Sequence, residues 1–204
     1  MLGRLIAIKH VQFFTRCFTI ATGSLRTWGT GTLPEWPYIV ASNHQSYMDP
    51  VLHGVVLGPI RYMARKTLFR NPIFGRTLRF VGAIELDRDQ GADLAAIRKL
   101  MEILKMGQSL LLFPEGTRTL DGSLGKMMPG AGIIAARAGV PVVPAVIDGA
   151  YKAWPRGQLL PKVRPIQLAY GRPLTVERKN VRGFQDQLTE AIKGLLRRVR
   201  KTRF

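Results

Sequence analysis

Cysteine is nearly absent from this chain: Cys17 is alone among 204 residues, and one thiol cannot build a disulfide framework. It sits in an apolar stretch, as a small buried hydrophobe would. Three histidines, His10, His44 and His53, are too few and too scattered for a Cys/His zinc centre, so no metal is expected. Acids are scarce as well. Against 31 Lys and Arg stand 13 Asp and Glu, a formal net charge of +18, which calls for anionic partners. Aromatic residues make up only 8%, and no groove-reading motif accompanies the basic clusters, so a nucleic-acid partner is not expected. Repeats and low-complexity segments are missing too. So is an uninterrupted apolar span near the N-terminus. Lys9, Gln12, Arg16 and Thr19 recur at steps of three, four and three, drawing one polar stripe while Leu5, Val11, Phe14 and Phe18 face elsewhere. A mid-span Lys or Arg costs about 2.5–3.5 kcal/mol to insert, and no small-residue cleavage site follows. The favoured reading is an amphipathic helix lying at a membrane interface; packing on the domain and spanning are the alternatives.

What is present is a hydrophobic share of 46%, enough for one folded domain at this length. Residues 23–36, rich in Gly, Thr and Pro, read as a linker or loop, which divides the chain into an N-terminal membrane-associated segment, 1–36, and a compact domain, 37–204. Apolar runs predict strands near 37–42, 61–64, 81–86, 109–113, 141–147 and 164–170. Helical patterns cover 50–58, 71–80, 130–138, 184–201 and "ADLAAIRKLMEILKMG", where Leu94, Ile97, Met101 and Leu104 share a face and Gly107 stops the helix. This alternation predicts an α/β fold with a mixed, largely parallel sheet flanked by helices. "GAGIIA" at 130–135 is not a dinucleotide fingerprint, because the preceding strand ends about sixteen residues earlier. Its glycines suit close helix packing instead.

Basic residues gather in two places. Arg61, Arg65, Lys66, Arg70, Arg76 and Arg79 interleave with apolar residues and no acid, and "KGLLRRVRKTRF" closes the chain with six more. Mixed basic and apolar character suits an anionic membrane surface, where each cation adds up to about 1 kcal/mol. Arg65 and Lys66 are candidates for a phosphate or membrane contact. A merely solvated helical face remains the other reading of either cluster.

"NHQSYMD", residues 43–49, follows the apolar run "PYIVAS". On a continuous helix His44 and Asp49 would stand about 140° apart and could not touch, so a turn must fold between them. Pro50 suits the first position of a helix, which places Asp49 at its N-cap. Both side chains then project from the end of a strand, where open α/β sheets place their ligands. A carboxylate on one ring nitrogen would fix the tautomer of His44 and support its protonated form. Ser46 lacks the G-x-S-x-G context of a nucleophile. The pair therefore suits activation of a hydroxyl belonging to a substrate.

"SLLLFPEGTRT", residues 109–119, is a second apolar strand, leaving through Pro114, Glu115, Gly116, Thr117 and Arg118. Pro-x-Gly makes an ordinary turn, but a carboxylate, a hydroxyl and a guanidinium crowd the strand end, and Arg118 could grip a phosphate bidentately. "ELDRD" places Arg88 between Asp87 and Asp89, where it is either a ligand or neutralised by its neighbours.

Together these blocks resemble the glycerolipid acyltransferase family, above all its 1-acylglycerol-3-phosphate acyltransferases. "NHQSYMD" resembles the His-x4-Asp block, "GAIELDR" the second block, "FPEGTRT" the third and "VPVVPAVI" the fourth, in order across residues 37–175; "ARKTLFRNPIFGRTLRFVGAI" is similar to the stretch between the first two. The resemblance implies the glycerol-3-phosphate acyltransferase-like fold. It implies His44 as general base, Asp49 as its orienting partner, and a phosphate site of Arg88, Glu115, Gly116, Thr117 and Arg118, the arginines gripping and Glu115 and Gly116 shaping. It also implies a lysophospholipid acceptor, an acyl thioester of coenzyme A or acyl carrier protein as co-substrate with no cofactor, and a place at the cytoplasmic face of a membrane. One departure stands out. The family often has Phe-Lys before the helix that follows the third block, whereas "GKMMPGAG" has Met127 and Met128 there. Lys126 is the candidate substitute; otherwise the acceptor headgroup differs from glycerol phosphate.

Overall fold

A computed structural model describes residues 25–86, 94–158 and 160–202. The proposed N-terminal helix and Arg88 lie outside the described residues.

The strands are β1 (Leu25–Trp28), β2 (Ile39–Ser42), β3 (Arg61–Arg65), β4 (Ala83–Leu86), β5 (Leu110–Leu112), β6 (Val142–Asp148) and β7 (Ile166–Tyr170). The helices are α1 (Asp49–Leu57), α2 (Pro72–Phe80), α3 (Leu94–Lys105), α4 (Gly130–Ala138), α5 (Ala150–Ala153) and α6 (Val181–Lys201). One seven-stranded sheet runs β1-β7-β6-β2-β5-β3-β4. Its pairings are parallel apart from β6 with β7, where Val146 faces Ala169. The mixed, largely parallel α/β architecture expected from the alternating pattern is therefore the one observed.

Central strands covered on both faces read as continuous apolar runs. In β2 every residue is buried, and alternate side chains serve different layers: Ile39 and Ala41 pack with Leu110, Val142, Ile134 and the α6 residues Leu188 and Ile192. Val40 packs on the other side with Leu52, Leu111, Val143 and Leu168. Burying one such Leu or Ile contributes roughly 1.5–3 kcal/mol. Helix α6 is recruited by a stripe, Phe184, Leu188, Ile192, Leu196 and Val199, buried at close to helical spacing, and starts at Asn180, whose side chain accepts from the Gly183 amide. Among the described side chains of α3, Leu100 and Leu104 are buried, with Met101 and Ile103 packed beside them. Of the "GAGIIA" glycines, Gly132 fulfils the packing role: a Cβ there would stand 2.9 Å from the Phe184 ring, whereas one on Gly130 would meet nothing.

Two expectations are corrected. Residues 23–36 are not simply a loop, because Leu25–Trp28 forms an edge strand in parallel register with β7. It carries no apolar alternation, since only Leu25 is even partly buried, so periodicity could not reveal it. The turn after it depends on Gly29 at φ +74°, where a Cβ would collide with the Tyr170 carbonyl oxygen. The second correction concerns Asp49, which is the first helical residue rather than the N-cap. Met48 holds that position without a side-chain cap, and the carboxylate is used elsewhere.

The connections fix where a ligand can sit. From β2 the chain passes to α1, whose Leu52 lies in the layer of Val40; from the adjacent β5 it passes to α4, whose Ala131 and Ile134 lie in the layer of Ile39. Neighbouring parallel strands that send their chains to opposite faces leave a crevice at their carboxyl ends. His44 follows β2, and the 113–118 segment follows β5.

Candidate active site

The turn after β2 is held on several sides. The Asn43 side chain accepts from the Ile147 amide (2.7 Å) and donates to its carbonyl (2.9 Å), extending the β2–β6 pairing past Ser42. Gln45 accepts from the Tyr151 amide (3.1 Å). Ser46 donates to the Trp154 carbonyl (2.8 Å) and is fully buried, so its hydroxyl is a strut of the turn. The expectation that Ser46 is no nucleophile agrees with that placement.

Inside this turn the backbone reverses, and Asp49 Oδ2 lies 2.7 Å from His44 Nδ1. The same oxygen accepts from the amides of Gln45 (2.6 Å) and Ser46 (2.8 Å). Asp49 is completely buried, while the His44 side chain is 18% exposed. Three donors on one oxygen hold the carboxylate in place, while Oδ1 is buried with no hydrogen-bond partner. An ionised carboxylate can only accept, so the proton between the two residues belongs to Nδ1, and Nε2 carries the free lone pair. The ring is stacked on Phe113, centroids 3.9 Å apart and planes 14° from parallel. Its orientation is thus set by an edge contact and a face contact together.

The 113–119 segment completes the site. The Gly116 amide donates to the Phe113 carbonyl (2.9 Å), closing a turn with Pro114 and Glu115 at its centre; neither has positive φ, and Gly116, its last residue, takes φ +69°. Glu115 does not reach outward. Its Oε1 accepts from the His44 amide (2.7 Å) and its Oε2 from the Gly125 amide (2.6 Å). Burial pushes its carboxyl up from the ordinary value, and the two amide bonds pull it back in part. Glu115 therefore braces the His44 turn against the 124–127 loop, with both carboxylate oxygens turned to backbone amides. A Cβ on Gly125 would sit 2.7 Å from that carboxylate. The amide of Thr119 donates to the His44 carbonyl (2.9 Å), and its hydroxyl accepts from the Gly122 amide (3.0 Å).

Arg118 lies over the Tyr47 ring, its guanidinium carbon 3.4 Å from the ring centroid, and its Nη1 is buried without a hydrogen-bond partner. A guanidinium with an unused donor next to the His44 turn is prepared for an anion. Thr117 is exposed beside it. Met128 takes the place of the expected lysine: its amide donates to the Pro114 carbonyl (2.8 Å), and its methyl group covers Gly116. Lys126 is exposed and lines a cavity against α6 whose lining does not include His44 or Arg118. Arg65 and Lys66, both exposed, stand at the carboxyl end of β3, next to β5 in the sheet.

Sequence reasoning did not find Phe113, Tyr47 or Asn43. The first two carry a signal in retrospect, an aromatic residue inside each polar block. Asn43 and the inward role of Glu115 carry none, because a side chain that bonds backbone 104 residues away leaves no local pattern. Nor did it find buried His53, between Tyr170 Oη (3.0 Å) and Ser42 Oγ (3.1 Å).

Comparison with known proteins identifies a family. The acyltransferase family model matches residues 24–148, more than half of the chain. A 1-acyl-sn-glycerol-3-phosphate acyltransferase of Bacillus subtilis is 32% identical over 155 residues, covering 74% of each chain. A chloroplastic protein of that name from Brassica napus is 37% identical over 133 residues, 63% of this chain and 38% of its own. The chain spans about two fifths of the length of such plant and algal relatives. The crystal structure of PlsC, the 1-acyl-sn-glycerophosphate acyltransferase of Thermotoga maritima, superposes with a TM-score of 0.80 at 26% identity, over 98% of this chain and 82% of that one. With His44 and Asp49 in contact at the carboxyl end of β2, and the FPEGTR segment beside them, the chain belongs to the acyltransferase family.

Proposed function

We propose that this protein transfers an acyl group from an acyl thioester to the free hydroxyl of 1-acyl-sn-glycerol 3-phosphate, forming phosphatidic acid. The observation that carries the reading is the 2.7 Å contact between His44 Nδ1 and the buried Asp49 carboxylate. It leaves Nε2 as the proton acceptor. The acceptor hydroxyl gives its proton to Nε2 as its oxygen bonds to the thioester carbonyl carbon. The carbon–sulfur bond then breaks, and the departing thiolate takes the proton back from His44. Asp49 stabilises the imidazolium between these steps. No acyl-enzyme and no cofactor enter the scheme.

Arg118 is assigned to the acceptor phosphate, with Arg88, placed by resemblance, as its companion. The thioester is carried by coenzyme A or acyl carrier protein. Work at the cytoplasmic face of a membrane, where a lipid acceptor and product reside, is part of the reading, and the net charge of +18 suits an anionic membrane surface. No helix among the described residues is long and apolar enough to cross a membrane.

A second reading keeps the chemistry and changes the acceptor. Met128 lies over Gly116 where a lysine was expected, so this side of the turn offers no cation from that position. The deciding experiment is thiol release from one coenzyme A thioester across lysolipids with and without a phosphomonoester. The reading expects turnover with 1-acylglycerol 3-phosphate, reduced about 10²–10⁴-fold by His44→Ala. Undiminished thiol release in that variant would remove the assignment. Preference for another headgroup would favour the second reading.

A further inference from the structure

Large apolar side chains that face solvent are not spread evenly over the molecule. Among the described residues Tyr47, Leu120, Met128, Leu160 and Val163 are exposed, and all five stand on the connections that leave β2, β5 and β6. These strands are parallel neighbours, so their connections meet at one end of the sheet, the end of His44. Because β7 returns antiparallel to β6, the connection from Gly149 to Pro165 both begins and finishes at that end. The 113–129 connection carries one exposed acid there, Asp121.

The connection to β7 combines three features. It presents Lys152, Arg156, Lys162 and Arg164, all exposed, and the chain has no acid between Asp148 and Glu177. Leu160 and Val163 interleave with the last two cations and hold their side chains in water. It also offers few backbone donors: Pro161 and Pro165 lack an N–H, and the Lys162 amide is already bonded to the Ala153 carbonyl (2.7 Å). A segment with few open donors loses little on leaving water. Cations alone would accept any anionic partner. Exposed Leu and Val beside them ask for hydrocarbon directly beneath the anions, and a bilayer has that layering: phosphates above acyl chains, with long cationic side chains reaching back to the phosphates. Tyr47 and Trp154, ring centroids 6.0 Å apart, suit the boundary between the two layers.

The connection is also fastened to the catalytic turn. Ser46 donates to the Trp154 carbonyl (2.8 Å), the Tyr151 amide donates to Gln45 (3.1 Å), and the Trp154 indole donates to the Gln158 carbonyl (2.9 Å). Whatever holds this loop therefore holds the His44 turn with it.

We propose that the connection between β6 and β7 is the docking surface for an anionic lipid bilayer. Leu160 and Val163 enter the hydrocarbon boundary while Lys162 and Arg164 stay among the phosphates, which turns the His44 end of the sheet toward the leaflet. The inference rests on the proposed work at a membrane, adds the face that meets it, and does not depend on acyl transfer.

The test uses the full chain on vesicles of phosphatidylcholine with and without phosphatidylglycerol. An environment-sensitive fluorophore is attached through Leu160→Cys or, as a control at the opposite end of the sheet, through Met106→Cys before β5, each combined with Cys17→Ser. The two sites are matched in exposure, 73% and 70%. Nitroxide lipids report contact with the bilayer. The expected result is a blue shift and quenching at 160 on phosphatidylglycerol vesicles, and neither at 106. Lys162→Gln combined with Arg164→Gln should weaken vesicle affinity about 5- to 30-fold, the scale of two lost cations. A chain that floats with vesicles while the label at 160 stays in water, or while both labels are quenched alike, overturns the docking face and leaves the membrane reading standing. Unchanged affinity in the double variant overturns it too. A chain that does not bind vesicles removes both. A blue shift at 160 with an acidic acyl carrier protein and none with vesicles would make the loop a protein interface instead.

Discussion

The Arg118 guanidinium carbon lies over Tyr47, 3.4 Å from the ring centroid, so the residue proposed for phosphate is positioned by a residue of the His-x4-Asp block itself. In the proposed scheme the contact couples acceptor grip to the turn that carries the base. A cation–π contact of this kind is worth about 0.5–2 kcal/mol. Tyr47→Leu should therefore raise KM for a phosphate-bearing acceptor by about 2- to 30-fold, with kcat changed far less. Tyr47→Phe, which keeps the ring, should stay near the parent value. Steady-state kinetics with the acceptor varied at fixed thioester reads both; a Tyr47→Phe defect as large as that of Tyr47→Leu would refute the platform role.

Asp49 differs from a simple helper of His44 because it also holds two backbone amides. Asp49→Asn removes the charge: its carbonyl oxygen can still take the three donors, but as a neutral acceptor, and its amide nitrogen falls where Oδ1 lies buried without a partner. Activity should fall about 10²–10⁴-fold, and stability should fall by about 1.5–3 kcal/mol, the value of a hydrogen bond to a charged group. Urea unfolding and thiol release on the same preparation separate the two effects. Full stability retained with full loss of activity would mean that the turn folds without the carboxylate.

Glu115 bridges two backbone amides, His44 N and Gly125 N, at 2.7 and 2.6 Å. Glu115→Gln preserves shape but offers one acceptor oxygen instead of two, so one amide must lose its partner. The expected signature is faster hydrogen exchange at the Gly125 or His44 amide, together with a drop in kcat of about tenfold, since a base displaced slightly loses reach. Unaltered exchange at both amides would show that the carboxylate is not the brace.

Much of this site could be read from residue order, and the reason is local. His44, Asp49, Glu115 and Arg118 lie in short segments that follow apolar runs, and a strand followed by a helix delivers polar residues to one end of a parallel sheet. Asp49 shows the limit of such reading. Pro50 correctly marked a helix start, yet the carboxylate turned back to His44 because three donors there outweigh a cap's one. Edge strand β1 escaped for a different reason: one flank is open, so alternation was never required of it. Helix α6 was legible over most of its length because its stripe repeats through five buried residues. The pairing of Arg118 with Tyr47 depends on tertiary placement, which no periodicity encodes.

His53 supplies a pH dependence whose sign can be worked out. It is fully buried between Tyr170 Oη and Ser42 Oγ. Its pKa is lowered to about 3, first by burial and then by the neighbouring His44 charge. Unfolded, the ring titrates near 6.5. Between these values the unfolded chain binds the extra proton and the folded chain does not, so stability is fully present above about pH 6.5 and is lost as pH falls toward 3. At pH 5 the loss relative to pH 7.5 is about 2 kcal/mol from this residue alone. His53→Gln keeps a donor and an acceptor in the same place but does not titrate. It should cost some stability at pH 7.5 and remove about that much of the decline on acidification. Urea midpoints for parent and variant at pH 7.5, 6 and 5 measure it, and parallel declines in the two proteins would show that the acid sensitivity arises from other groups.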